Sequence, residues 1–201
     1  MMGKTNDRER RIMEIRAVEN DEDRMLIQGY ALNYESPATH IYNNRKFTEI
    51  IKRGALDEAN MTDVPLRYNH NDSVLIMART RNRSMQLIKN EAGLLIMADL
   101  IDTQTNRDLH KCILEGLIDK MSFSFTLPDG GDRWEIKKDE SIREITNIEK
   151  LWDVSIVDVP FYDSTSIYAR SFESLDNEIR RLDSLRELEL LKLKIKIKGE
   201  L

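Results

Sequence analysis

Of the first 170 residues, only Thr105 to Glu115 carries a clear helical period, with Leu109, Cys112, Ile113 and Leu117 falling near one face. Almost everything else is short runs of alternating apolar and polar residues, bounded by turn formers. A chain patterned this way cannot make a helix bundle. It also lacks the regular β–α alternation of a doubly wound sheet. The pattern predicts an α+β fold that is mainly β, antiparallel or mixed, with a closed barrel as the arrangement that leaves no sheet edge open.

The runs can be placed along the chain. Ile12 to Val18 and Met25 to Leu32 predict two strands around the acidic turn Asn20–Asp23, with Gly29 marking a bulge or a close approach. Ser36 to Lys46 is expected to be a loop, and Phe47 to Ile51 a short helix that ends near Gly54. Val64–Tyr68, Val74–Ala78, Met85–Lys89 and Gly93–Leu100 are predicted strands, the last two joined by a hairpin turn at Asn90–Gly93. For the helix, Thr105 with Asp108 resembles a capping box and Gly116 suits the residue just past its end. Lys120 to Thr126 alternates strictly, as a strand should. Trp134–Lys137, Ser141–Ile148 and Leu151–Val159 are further predicted strands, the last stopped by Pro160.

The composition divides the chain in three. Residues 1–10 are polar and expected to be disordered, 11–170 form the body, and 171–201 form a tail. Glycine and aromatics nearly vanish from the tail, which holds seven basic and seven acidic residues. Leu175, Ile179, Leu182 and Leu185 step through it at helical spacing, which predicts an amphipathic helix able to self-associate. Its last piece, Leu191 to Lys198, alternates strictly. Strand period and helical context conflict there, and both readings stay open.

Charge and cysteine content exclude several classes of function. The net charge of −5 gives no bulk attraction for a phosphate backbone, so no nucleic-acid partner is expected. The single cysteine, Cys112, rules out a disulfide framework within the chain and suits a reducing compartment. Met1 to Arg16 is too polar for a signal peptide, and no run approaches the roughly 18 apolar residues of a membrane span, so no membrane partner is expected. There is no GxxxxGK[ST], GxGxxG or CxxC, and His40, His70 and His110 form no local metal motif. No cofactor and no metal is expected.

The chemistry is therefore sought among lone polar residues. His110 sits mid-helix and is expected to be solvated; His40 sits in the predicted loop. His70 follows the strand Val64–Tyr68, where a rigid element meets a loop, a common setting for a catalytic group. Ser122 and Ser124 share one face of their strand, opposite Met121, Phe123 and Phe125. Periodicity alone allows these serines simply to face water. A hydroxyl becomes a useful nucleophile only when a base takes its proton and a third group orients that base. Asp153 shares a strand face with Ser155, on a strand rich in apolar residues. Burying that acid is costly unless it is paired, and a histidine would supply the pairing; an exposed charge on an edge strand is the alternative. Cys112 is a second possible nucleophile, although its apolar helix face suits a small core residue.

Taken in order, several segments from Arg24 to Ala169 resemble the prohead proteases of tailed bacteriophages. Ile27-Gln-Gly-Tyr-Ala31 is similar to the opening strand of that family, and Ile50-Ile-Lys-Arg-Gly-Ala55 to its Gly-Ala-Phe segment. Val64-Pro-Leu-Arg-Tyr-Asn-His70 resembles the strand bearing the catalytic histidine, and Gly93-Leu-Leu its Gly-Leu hairpin. Leu114 to Phe125 resembles the helix end, glycine and Leu-Ser-Ile-Gly-Phe strand, whose serine matches Ser122. Asp153-Val-Ser-Ile-Val-Asp-Val-Pro160 resembles a Glu-Val-Ser-x-Val-x-x-Pro segment whose acid completes a triad.

Three positions depart from that pattern. Ser124 replaces a glycine and becomes an alternative nucleophile, Asp153 replaces Glu, and Asn71 stands where an acid often follows the histidine. The resemblance implies an assemblin-like closed β-barrel wrapped by helices, and a serine endopeptidase with His70, Ser122 and Asp153 as catalytic residues. It also implies a protease inside the immature capsid, in the host cytoplasm, cutting the major capsid protein's scaffold segment and itself. The rival from another class is a non-catalytic assembly or scaffolding module with the same fold.

Overall fold

Among the described residues, thirteen strands and one long helix make up the body of the protein. In a computed structural model, residues 9–18, 24–42, 45–136, 140–158 and 180–189 apart from Leu182 are described. Before the helix come β1 (Glu9–Glu14), β2 (Arg16–Val18), β3 (Leu26–Asn33), β4 (Ala38–Tyr42), β5 (Arg45–Ile51), β6 (Pro65–Tyr68), β7 (Ala78–Arg79), β8 (Met85–Lys89) and β9 (Gly93–Asp99). The helix α1 (Gln104–Leu114) is followed by β10 (Lys120–Thr126), β11 (Asp132–Ile136), β12 (Glu140–Ile145) and β13 (Lys150–Val157). The mainly β expectation holds.

The closed barrel does not. Among the described residues the strands hydrogen-bond as three separate sheets, in the orders β1-β10-β13-β6-β7, β11-β12-β5-β4 and β2-β3-β9-β8. The run from Glu9 to Val18 shows why no single ladder closes. It is interrupted at Ile15, whose N–H donates to Asp119 O. β1 therefore pairs with β10 in one sheet, while β2 pairs with β3 in another. Gly29 lets the two sheets meet at this corner, because a Cβ there would lie 2.4 Å from Glu14 O. Phe123, Phe125, Leu66, Leu94, Ile96, Leu151 and Ile156 fill one continuous apolar core. Burying each such side chain stabilises the fold by roughly 1.5–3 kcal/mol.

Several local expectations change. Phe47 to Ile51 is not a helix: β5 pairs antiparallel with β4 on one side and parallel with β12 on the other. Its β-branched Thr48, Ile50 and Ile51 suit that place between two strands. β4 in turn occupies the predicted loop and puts His40 opposite Phe47. Val74–Ala78 contributes only Ala78 to a strand, and Leu75 is 81% exposed, so the apolar alternation there does not mark a buried face. Glu9 and Arg10 belong to β1 rather than to a disordered end. In the tail, Arg180, Arg181 and residues 183–189 are helical, with Leu185 and Leu188 exposed. Residues 191–198, where helix and strand readings conflicted, lie outside the described residues.

The ends of α1 deliver the chain to the site. Its N-cap is Thr103, whose hydroxyl accepts from Asn106 N–H, rather than Thr105. At the other end Gly116 takes φ +69°. Gly116 N–H donates to Ile113 O and Leu117 N–H to Cys112 O, the paired hydrogen bonds of a Schellman motif. The chain reverses there and enters β10, the strand that carries Ser122 and Ser124. Leu117 is exposed, so the buried face of α1 is Asn106, Leu109 and Ile113.

Candidate active site

Two neighbouring strands supply most of the polar groups. β10 and β13 are antiparallel, with Ser122 opposite Ser155 and Ser124 opposite Asp153. All four side chains therefore share one face of the sheet. The register slips just beyond this square, between Ser124 and Phe125, as bulged strands often do beside functional sites. β13 is the central strand of its sheet, so Asp153 is not an edge charge; it is buried, as are both β10 serines.

The third component arrives from β6, parallel to β13 on its other side. Just past its end Asn69 and His70 take φ of +50° and +53°, and Asn71 N–H donates to Tyr68 O. Two successive left-handed residues closed by that hydrogen bond have the φ pattern of a type I′ turn. Such backbone is strained for residues with a Cβ and persists only where its surroundings enforce it. Here Asn69 N–H donates to Ile156 O, and His70 N–H donates to Ser155 Oγ at 3.1 Å.

The turn lays the imidazole across both strands. His70 Nε2 lies 2.7 Å from Ser122 Oγ, and Nδ1 lies 2.5 Å from Asp153 Oδ1. Ser155 Oγ donates to the same carboxylate oxygen at 3.0 Å, and Ser124 Oγ donates to Oδ2. Burial pushes the Asp153 carboxyl up, but the His70 ring and the hydroxyls of Ser124 and Ser155 outweigh it and hold the group below the usual carboxylate range. An anionic Asp153 favours the tautomer with a proton on Nδ1, which leaves the Nε2 lone pair directed at Ser122.

The structure thus brings His70, Ser122, Ser124 and Asp153 into one hydrogen-bonded cluster. His40 lies on β4, in another sheet. His110 is half-buried rather than solvated, its Nε2 3.3 Å from Leu26 O. Cys112 is half-buried on α1. Among the described residues no three His, Cys, Asp or Glu gather as metal ligands, and no helix is long and apolar enough to cross a membrane. Sequence reasoning placed Ser155 on the Asp153 face but gave it no task, although its hydroxyl links the His70 backbone to the acid.

Over residues 11–178 the chain matches the family model of the caudovirus prohead serine protease. The chain belongs to this family. The prohead protease match runs from within β1 past the end of β13 and so contains the whole cluster. A similarity to the solved bacteriophage T4 capsid assembly protease, gp21, covers 77% of this chain and 100% of that one, at 15% identity and a TM-score of 0.42. No curated protein matches the chain. Membership in the prohead protease family makes this protein a serine protease of capsid maturation.

Proposed function

We propose that the protein is an endopeptidase in which Ser122 is the nucleophile, His70 the general base and acid, and Asp153 the orienting carboxylate. The reading rests above all on one observation: a single imidazole within hydrogen-bond distance of a serine hydroxyl on one side and a buried carboxylate on the other. Ser122 Oγ attacks the scissile carbonyl carbon while His70 Nε2 takes its proton, giving a tetrahedral oxyanion. Collapse breaks the C–N bond, and His70 returns the proton to the leaving amine. A water molecule then repeats the sequence on the acyl-enzyme, releasing the acid and restoring Ser122. Asp153 stabilises the imidazolium formed in both halves.

Ser124 has a different part. Its hydroxyl proton points to Asp153 Oδ2, so it supports the acid and is not poised to pass a proton to His70. The substrates proposed are the scaffold segment of the major capsid protein and the protease itself, with the tail helix joining copies of the enzyme or docking it on the scaffold.

Co-expression with the major capsid protein tests the reading. Wild type should yield defined fragments by mass spectrometry and label with an alkyl fluorophosphonate; Ser122→Ala should do neither. Labelling of the Ser122→Ala protein at wild-type level would reassign the nucleophile. Deleting residues 171–201 should weaken capsid incorporation and spare peptide cleavage.

A further inference from the structure

His70 can serve as base only while two strained residues hold their shape, and one carboxylate lies at the base of that turn. Asp158 immediately follows β13. Its Oδ2 accepts from Tyr68 Oη at 2.8 Å and its Oδ1 accepts from Asn69 Nδ2 at 2.9 Å. Its own N–H donates to Asn69 Oδ1 at 3.3 Å. Asn69 is thus gripped through both ends of its amide, while its backbone N–H is held by Ile156 O. Tyr68 and Asn69 are the two residues before His70, and Asn69 is the first of the left-handed pair.

We propose that Asp158 is a positioning residue that fixes the left-handed turn and so aims the His70 ring at Ser122. It touches neither the imidazole nor Ser122 Oγ; it acts through Tyr68 and Asn69. The inference rests on His70 being the base. Burial and the hydrogen bond to Asp158 push the Tyr68 hydroxyl up to about 12, so that phenol keeps its proton and stays a donor to the carboxylate at neutral pH. On the far side of the turn Ser155 Oγ accepts the His70 N–H. The pair of left-handed residues is therefore held at both ends from β13 and the residue that follows it. Without the Asp158 contact, Asn69 is released toward φ < 0, and the ring moves by more than a proton transfer tolerates; misplacement by about 1 Å can cost about 100-fold in rate.

Fluorophosphonate labelling of the full chain supplies the test, because it reports serine activation without a defined peptide substrate. Asp158→Ala should lower the maximal labelling rate about 10- to 100-fold and leave the probe's half-saturating concentration within about twofold. Asn69→Ala should behave similarly, and Asp158→Ala with Asn69→Ala should be no slower than the slower single variant, since both remove one grip. Asp158→Asn keeps an acceptor for Tyr68 Oη but sets an amide against the Asn69 amide, so its rate should fall between wild type and Asp158→Ala. That variant carries the test if the alanine variant does not fold. Wild-type labelling rates for Asp158→Ala and Asp158→Asn, or fully additive losses in the double variant, would overturn the proposal. Failure of the wild type to label, or normal labelling of Ser122→Ala, would instead remove the underlying choice of His70 and Ser122.

Discussion

The two faces of β10 each hold a buried polar cluster, and the clusters are built on opposite principles. On one face Ser122 and Ser124 meet His70, Asp153 and Ser155 through single hydrogen bonds from groups that are small or able to titrate. On the other, Arg11 lies over the Phe125 ring, pairs with Glu49 and contacts Glu9 at 2.9 Å. Arg143 binds Glu9 at 2.6 Å, Asp132 at 2.7 Å and Glu49 at 3.2 Å, with its guanidinium over Trp134. Burial works against both arginines' charge, yet the surrounding carboxylates outweigh it and raise them above their ordinary range. Guanidinium never gives up its proton in a protein. This second cluster ties β1 to β5, β11 and β12, and its two guanidinium groups hold a fixed charge. The first contains an imidazole, which can take up and release a proton. The difference separates a buried polar network built around a titratable ring from one built around permanent charges.

The largest expected effect removes the group that distinguishes them. His70→Ala should lower peptide hydrolysis and fluorophosphonate labelling by about a thousand-fold or more, because triad members act as a unit. Circular dichroism should remain that of the wild type. Labelling within tenfold of wild type would place the base elsewhere.

The matching change on the other face should act on stability alone. Arg143→Met leaves Glu9 and Glu49 facing each other with one cation fewer, inside protein. Breaking a buried pair in this way costs about 3–5 kcal/mol, to be read from urea unfolding. The labelling rate per folded molecule should not change. A variant that lost labelling while keeping its stability would erase the distinction between the two clusters.

How much of this was legible beforehand follows from the range of each interaction. Period-2 alternation showed that Ser122 and Ser124 share a face, and that Asp153 and Ser155 share another, because side-chain direction in a strand is a local property. The Gly116 helix end was legible for the same reason. That β10 and β13 are neighbours, in the register that sets Ser124 opposite Asp153, depends on residues about 30 positions apart, and only the family resemblance pointed to it. The apolar pattern of Phe47–Ile51 fits either a helix or a central strand, and pairing on both sides decided for strand. The Arg11–Glu49–Arg143 cluster was invisible, since charged residues in a strand normally signal a solvated face. Tyr68-Asn69-His70-Asn71 did carry a signal that could have been used: asparagine is enriched where φ is positive.

Within the active cluster, a smaller effect separates the two serines of β10. Ser124→Ala removes one donor to Asp153 Oδ2 and leaves Ser122, His70 and the Oδ1 contacts in place. One hydrogen bond to a charged group contributes about 1.5–3 kcal/mol. Because Ser155 and His70 still hold the acid, the loss should be near the lower limit, roughly tenfold in labelling rate. A Ser124→Ala enzyme as inactive as Ser122→Ala would exchange their parts.

The smallest effect is on acid stability. The folded Asp153 carboxyl is held below its ordinary value, which is about 3.9 in an unfolded chain. Between those two values the unfolded state binds more protons, so stability rises with pH there. The contribution of Asp153 is therefore complete above about pH 4 to 5. It is lost as pH falls through the lower, folded value. Urea midpoints of wild type and Asp153→Asn should differ most near neutrality and draw together as the pH falls below about 4, because Asn cannot be protonated and loses nothing further. The difference between the two curves cancels the other carboxylates, Glu9 of the ionic cluster among them. Parallel curves from pH 7 to pH 3 would mean that Asp153 gains nothing from its ionised state in the fold. An acid with no such preference could not favour the imidazolium that the proposed mechanism requires.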